Sequence, residues 1–220
     1  MYMHQDNLGN PIALPVGKAI CVGRNYHDHI DEMRSEVPAE PLLFMKPKAA
    51  FCHMQNPLRI PEGKGECHNE LEVAVLLKQP LCNASVGEVL AAIWGIGLGL
   101  DLTLRDVQQT LKQKGLPWER SKAFDFSCPL SGFVPVSQFT RLDDIHFSLT
   151  VNDQQRQSGN TAMMLHAIPE LIAHMSGVFT LDAGDVILTG TPKGVAALNN
   201  NDVVRAELAD HFHVSTKVIG

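Results

Sequence analysis

The run Glu70-Leu71-Glu72-Val73-Ala74-Val75-Leu76-Leu77 opens on two carboxylates and continues without a charge. Its apolar, partly β-branched composition predicts a strand over residues 70–77. Side chains alternate between the faces of a strand, so Glu70 and Glu72 project together while Leu71 and Val73 face the other way. Two carboxylates side by side repel unless a cation sits between them. A third, Asp101, closes the apolar run Ile93-Trp94-Gly95-Ile96-Gly97-Leu98-Gly99-Leu100. Two readings of this set are open. Three carboxylates without a converging Cys/His set suit a hard, oxygen-preferring ion, Mg²⁺ or Mn²⁺. Alternatively, Glu70 and Glu72 lie on a solvated strand face and Asp101 caps a helix.

Working outward, further strands are expected over 18–22, 146–151, 186–189 and 203–207, each bounded by turn residues. Helices are expected over 26–33, 86–94, 101–114 and 163–175. Prolines 38, 41, 47, 57 and 61 break the stretch 38–65 into short extended pieces and turns. Strands outnumber helices after residue 140 and do not alternate with them regularly. That pattern predicts an α+β, β-rich fold, not a doubly wound parallel sheet. No linker or repeat divides the chain, so one domain over 1–220 is expected.

Composition narrows the function classes. The 220 residues are 45% hydrophobic and 19% charged with a net charge of −6, and no Lys/Arg cluster exceeds two adjacent residues, which argues against a concentrated basic surface for nucleic acid. The longest uncharged apolar run, 89–100, is shorter than the ~20 residues of a membrane span. Met1-Tyr2-Met3-His4-Gln5-Asp6 lacks the order of a secretory signal. Cys21, Cys52, Cys67, Cys82 and Cys128 form no CxxC pair, which points to a reducing compartment. A cytoplasmic protein is expected, with neither nucleic acid nor membrane as partner.

The second chemical piece is Arg24-Asn25-Tyr26-His27-Asp28-His29-Ile30-Asp31-Glu32-Met33. On a helix His29 and Glu32 are neighbours three apart. A carboxylate on one imidazole nitrogen makes the other more basic, which prepares a general base; a polar solvated face is the plainer reading. The polar, proline-punctuated residues through 41 read as a flap. Asp101-x3-Arg105-x2-Gln108 forms one helical stripe, for which an i,i+4 salt bridge is the plain account. Lys122 stands in partly apolar surroundings, and Gly190-Thr191-Pro192-Lys193-Gly194 reads as a turn with Thr191 as a hydroxyl donor.

Taken in order, several words resemble the fumarylacetoacetate hydrolase superfamily, in particular its short members that act on acylpyruvates. They are Gly23-Arg24-Asn25-Tyr26, His29-x2-Glu32-Met33, Leu43-Phe44-Met45-Lys46-Pro47, Glu70-Leu71-Glu72, the segment from Leu100 to Gln108, Trp118-x3-Lys122, Cys128-Pro129 and Leu188-Thr189-Gly190-Thr191-Pro192. The resemblance implies a mixed β-roll or sandwich with flanking short helices, and a homodimer. It implies one Mg²⁺ or Mn²⁺ per subunit on Glu70, Glu72 and Asp101. His29 with Glu32 would activate water, Lys122 would stabilise the oxyanion, and Arg24, Arg105, Gln108, Thr191 and Lys46 would hold a small anionic oxo acid. Two words depart from the pattern. Asn69 stands before the first Glu where relatives often carry His, and Gly194-Val195-Ala196-Ala197 replaces Gly-Val-Gly.

The implied chemistry is hydrolysis of the carbon–carbon bond of a 2,4-dioxo acid, giving pyruvate and a carboxylic acid. Sibling enolate reactions need the same site without an attacking water: oxaloacetate decarboxylation or tautomerisation, or isomerisation of an unsaturated 2-oxo diacid. A non-catalytic, metal-dependent oxo-acid binder is the rival from another class. It has no use for the His29/Glu32 pair.

Overall fold

In the computed structural model of the protein, residues 1–33 and 36–220 are described. The run after Glu70 becomes the strand Leu71–Leu77 because both of its faces find apolar partners. Leu71, Val73, Val75 and Leu77 enter the larger core, beside Ile20, Ile96, Leu171 and Ile187. Ala74 and Leu76 enter a smaller one with Ala19, Cys21, Phe44, Phe51 and Leu188. Glu72 shares this second face. Each fully buried Leu or Ile contributes about 1.5–3 kcal/mol, so slipping the register by one residue would be costly.

This strand lies near the middle of an eight-stranded sheet. Its strands run Leu43–Lys46, Ala19–Val22, Val186–Leu188, Leu71–Leu77, Ile93–Leu100, Cys128–Leu130 and Phe51–His53, with Val134–Pro135 also paired to Ile93–Leu100. A five-stranded sheet orders Gln154–Asn160, His146–Val151, Val203–Leu208, Phe212–Ile219 and Leu58–Arg59. A third, small sheet joins Ala196–Ala197, Cys67–Asn69 and Thr103–Leu104. The β-rich class with short helices is as expected, and the stretch 38–65 does form short strands. All five cysteines are free, and among the described residues no helix is long and apolar enough to cross a membrane.

Three helix expectations need correction. The helix expected over 86–94 starts on the Ser85/Glu88 capping box but ends at Ala92, and Ile93–Leu100 is a strand. The glycines of that run decide the matter. A Cβ on Gly97 would lie 2.8 Å from Gly132 O, and one on Gly99 would lie 2.6 Å from Leu188 Cδ2. Glycine at alternate positions therefore lets neighbouring chains close on one face of the strand. The helix expected from Asp101 begins at Arg105, after the short strand Thr103–Leu104, so Asp101 is not its cap. The helix expected over 163–175 is Ile168–Val178. Pro169 sits in its first turn, where a missing N–H costs nothing, and the residues before it form a 3₁₀ turn, Thr161–Met163.

The sheet register assembles the site. Leu71–Leu77 and Ile93–Leu100 pair antiparallel with Leu71 opposite Leu100 and Glu72 opposite Gly99. The start of one strand therefore meets the end of the other, and Asp101 N donates to Glu70 O at 2.8 Å. On the other flank Leu188 pairs with Ala74, which brings the following Gly190 and Thr191 alongside Glu72.

Candidate active site

Glu70, Glu72 and Asp101 are all buried, and each offers an oxygen within 4.8 Å of the others'. Their surroundings differ. Glu70 accepts from Arg105 Nη2 at 2.5 Å and from Lys122 Nζ at 2.8 Å. Burial would raise its pKa, but the charges of Lys122, Arg105 and His29 outweigh that and hold it well below the usual range. Glu72 accepts from Gly190 N at 2.6 Å, and among the described residues no Lys or Arg forms an ion pair with it. Burial first, and then the charges of Asp101 and Glu70, push its pKa well above the usual range. Gly190 can come this close because it has a φ of +96° and no Cβ; a Cβ would lie 2.7 Å from Asn25 Cβ.

Asp101 Oδ2 accepts from Lys122 Nζ at 2.5 Å. Its Oδ1 lies 2.9 Å from Lys46 Nζ yet accepts no hydrogen bond. The Lys46 ammonium is already engaged with Leu102 O at 3.3 Å, Lys122 O, Ser127 O at 3.0 Å and Ser127 Oγ at 3.1 Å, enough acceptors for its three protons. A buried carboxylate without a cationic partner and a buried carboxylate oxygen without a proton are what an oxygen-preferring cation would satisfy. These three residues fit a divalent metal ion. If they hold one, removing a charged ligand must weaken it: Glu72→Ala should lower Mn²⁺ affinity at least ~10-fold in a calorimetric titration. Unchanged affinity would remove Glu72 from the ligand set.

The imidazole of His29 lies in the short helix His27–Glu32 and is almost fully buried. Its Nδ1 is 3.4 Å from Glu32 Oε2, and Glu32 in turn accepts from Gly194 N at 3.0 Å. The carboxylate selects the tautomer with the proton on Nδ1, leaving Nε2 as the basic nitrogen. Burial lowers the His29 pKa, against the opposing charges of Glu70 and Glu32. The start of the expected flap is tied down: Asn25 Nδ2 donates to Thr189 O at 2.9 Å and to His166 O at 3.0 Å. Arg34 and Ser35, at its centre, lie outside the described residues.

One cavity gathers Arg24, His29, Glu70, Arg105, Gln108 and Lys122. Arg105 bridges Glu70 and Gln108 Oε1, the latter at 2.7 Å, instead of pairing with Asp101, which lies before the helix. That bond turns the Gln108 amide NH₂ away from Arg105. Lys122 keeps its charge because Asp101 and Glu70 more than offset its burial, and its pKa is raised. Two expected substrate contacts are placed elsewhere. Lys46 is fully enclosed, with its protons spent on the protein's own carbonyls, so it supports Asp101 and does not reach the cavity. The Thr191 hydroxyl donates to Leu71 O at 2.8 Å and accepts from Gln157 Nε2 at 2.7 Å. Gln157 also accepts from Asn69 Nδ2 and Leu71 N, each at 2.9 Å. The unusual Asn69 thus buttresses the loop that carries Thr191.

Lys112 and Trp118 also line the cavity. Trp118 stands in one of the words that carried the resemblance, without a role. Lys112 was missed, although it extends the Arg105/Gln108 stripe by one helical turn.

The family model described as fumarylacetoacetate (FAA) hydrolase C-terminal matches residues 18–219. The sequence is 50% identical over 220 residues, covering 100% of both chains, to the oxaloacetate tautomerase YcgM of Escherichia coli (strain K12). It is 41% identical over 199 residues to the mitochondrial oxaloacetate tautomerase FAHD1 of Bos taurus, covering 90% of each chain. Among solved structures, fumarylpyruvate hydrolase from Pseudomonas aeruginosa, in complex with Mn²⁺ and pyruvate, superposes with a TM-score of 0.92 at 30% identity, covering 99% of this chain and 95% of that one. With its fold and its three-carboxylate site, this chain belongs to the fumarylacetoacetate hydrolase family.

Proposed function

We propose that the protein is an oxaloacetate tautomerase that interconverts the keto and enol forms. The observation that carries this reading is the end-to-end identity of 50% with a protein of that activity. It displaces carbon–carbon hydrolysis, the first expectation from sequence, in favour of a sibling reaction on the same set of groups.

Tautomerisation moves one proton between C3 and the oxygen on C2 and needs no attacking water. The chain supplies the parts. His29, neutral because its pKa is lowered, takes the C3 proton on Nε2, and Glu32 shares the charge that results. Arg105 and the Gln108 amide face the same cavity and bind the substrate's C1 carboxylate. Lys122, whose three protons rest on Glu70, Asp101 and Thr103 Oγ1, stabilises through its charge the negative charge that develops on the oxygen of C2. That oxygen then takes a proton from water as His29 releases its own, so one proton leaves C3 and one arrives on oxygen. A divalent ion on Glu70, Glu72 and Asp101 would supply Lewis-acid polarisation of the 2-oxo group.

The deciding experiment follows loss of the enol absorbance of oxaloacetate with added Mg²⁺ or Mn²⁺, beside cleavage of acetylpyruvate and fumarylpyruvate. The expected result is tautomerisation with the highest kcat/KM, abolished by a chelator and restored by either ion. Faster cleavage of either acylpyruvate, or tautomerisation no faster than in buffer, would overturn the assignment.

A further inference from the structure

The oxo-acid chemistry accounts for the inner end of the cavity and leaves its mouth unexplained. There Lys112 projects from the helix Arg105–Gln113, one turn beyond Gln108, with its ammonium 4.9 Å from the centroid of the Trp118 ring. Among the described residues no carboxylate forms an ion pair with it. The charges around it are mainly cationic, with the Glu70 carboxylate opposing them more weakly. Lys112 is solvent-exposed, and the protein packed around its ammonium, followed by the charges of Arg105, Arg24 and Lys122, lowers its pKa to about 8. Arg24 lines the same cavity, and its guanidinium makes one described hydrogen bond, from Nη1 to Glu36 O at 3.1 Å.

Cations gathered around a cavity without a matching carboxylate repel one another, and an anionic guest relieves the repulsion. In and behind this cavity Arg24, Lys46, Arg105, Lys112 and Lys122 outnumber Glu32, Glu70, Glu72 and Asp101, and a divalent ion would widen the excess. A monoanion bound at the inner end leaves Lys112 and Arg24 unmatched. A dianion with a carboxylate at each end matches both groups.

We propose that Lys112, with Arg24, receives the distal carboxylate of a dicarboxylic 2-oxo acid and thereby selects diacids over 2-oxo monoacids of the same length. Trp118 holds the ammonium at the mouth through its ring face and offers the substrate methylene an apolar wall. This assignment rests on the oxo-acid reading of the site and adds to it the residue that reads the substrate's far end.

Binding, measured apart from turnover, tests it. Metal-loaded protein is titrated calorimetrically with fresh oxaloacetate and with 2-oxobutyrate, which replaces the distal carboxylate by a methyl group. Wild type should bind oxaloacetate at least about 10-fold more tightly, the value of a charge-assisted hydrogen bond at a partly desolvated site. Lys112→Met should reduce that preference to about twofold while leaving 2-oxobutyrate affinity unchanged, and Lys112→Arg should restore most of it. Because 2-oxobutyrate reports the inner site in every variant, a folding defect would show as loss of both ligands. The proposal is overturned if wild type shows no preference, or if Lys112→Met, with 2-oxobutyrate affinity as in wild type, leaves the preference intact. If Lys112→Met loses both ligands, Lys112→Arg decides, and a Lys112→Arg protein that binds 2-oxobutyrate as wild type does but shows no preference overturns it. Selective loss in Lys112→Met, with no tautomerisation detected in wild type, would keep the subsite and reject the reaction assignment instead.

Discussion

His29→Gln is expected to lower kcat for oxaloacetate tautomerisation by about 10²–10⁴-fold while KM changes little, because general-base assistance is lost and the anion-binding groups remain. The residue is poised for this role by two opposing influences. Burial disfavours the imidazolium, and Glu32 and Glu70 favour it, with burial prevailing. Only the neutral form accepts a proton, so the lowered pKa carries activity to more acidic pH than an ordinary histidine at about 6.5 would allow. The rate should then fall as pH drops through the His29 pKa. Glu32→Gln separates charge from geometry. Glutamine keeps an oxygen for the Gly194 N–H but cannot share the charge on a protonated His29. Its loss should approach that of His29→Gln, and the double variant should be no worse than the more severe single one, as for residues acting as a unit. A His29→Gln enzyme retaining a tenth or more of wild-type kcat would dismiss the imidazole as the base.

The boundary between what the sequence makes legible and what it hides follows the range of the interactions. Alternation within 71–77 is local, so the strand and the face of Glu72 can be read directly. Glu70, Glu72 and Asp101 were an open choice between a metal site and a solvated surface until the family words joined them, and their burial removes the surface reading. The strand Ile93–Leu100 is hidden because what excludes a helix is distant in sequence: Gly132 O and Leu188 Cδ2 crowd Gly97 and Gly99. Asp101 has the composition of a cap, but it is needed as the partner of Lys46 and Lys122, and the helix starts four residues later. Lys112 is hidden for the opposite reason. A lysine on the outer turn of a polar helix looks like any solvated lysine, and only the positions of Trp118 and Arg24 set it apart. The role of Lys46 is the least legible, since residues 101, 102, 122 and 127 converge on it from more than fifty positions further along the chain.

That convergence gives Lys46 the largest expected effect on stability. Lys46→Met preserves the length and apolar stem of the side chain and removes only the ammonium. Replacing both members of a buried ion pair by apolar groups is often neutral, because two desolvated charges disappear together. Removing one leaves the other behind. Asp101 would remain fully buried with Lys122 as its remaining cation, which is also shared with Glu70. The carbonyls of Leu102, Lys122 and Ser127 would lose their common donor. Breaking such a pair costs about 3–5 kcal/mol. For a chain of this size that corresponds to a fall in Tm of roughly 6–20 °C. The exposed pair Arg141–Asp143 is the control, because solvent screens it and Arg141→Met should leave the melting curve where it was. A divalent ion would partly compensate the stranded Asp101 carboxylate, so Mn²⁺ should recover more Tm in Lys46→Met than in wild type. If Lys46→Met melts with wild type in metal-free buffer, the ammonium is not what holds Asp101 and the three carbonyls together. The separation of a supporting Lys46 from a substrate-facing Lys122 would then fail.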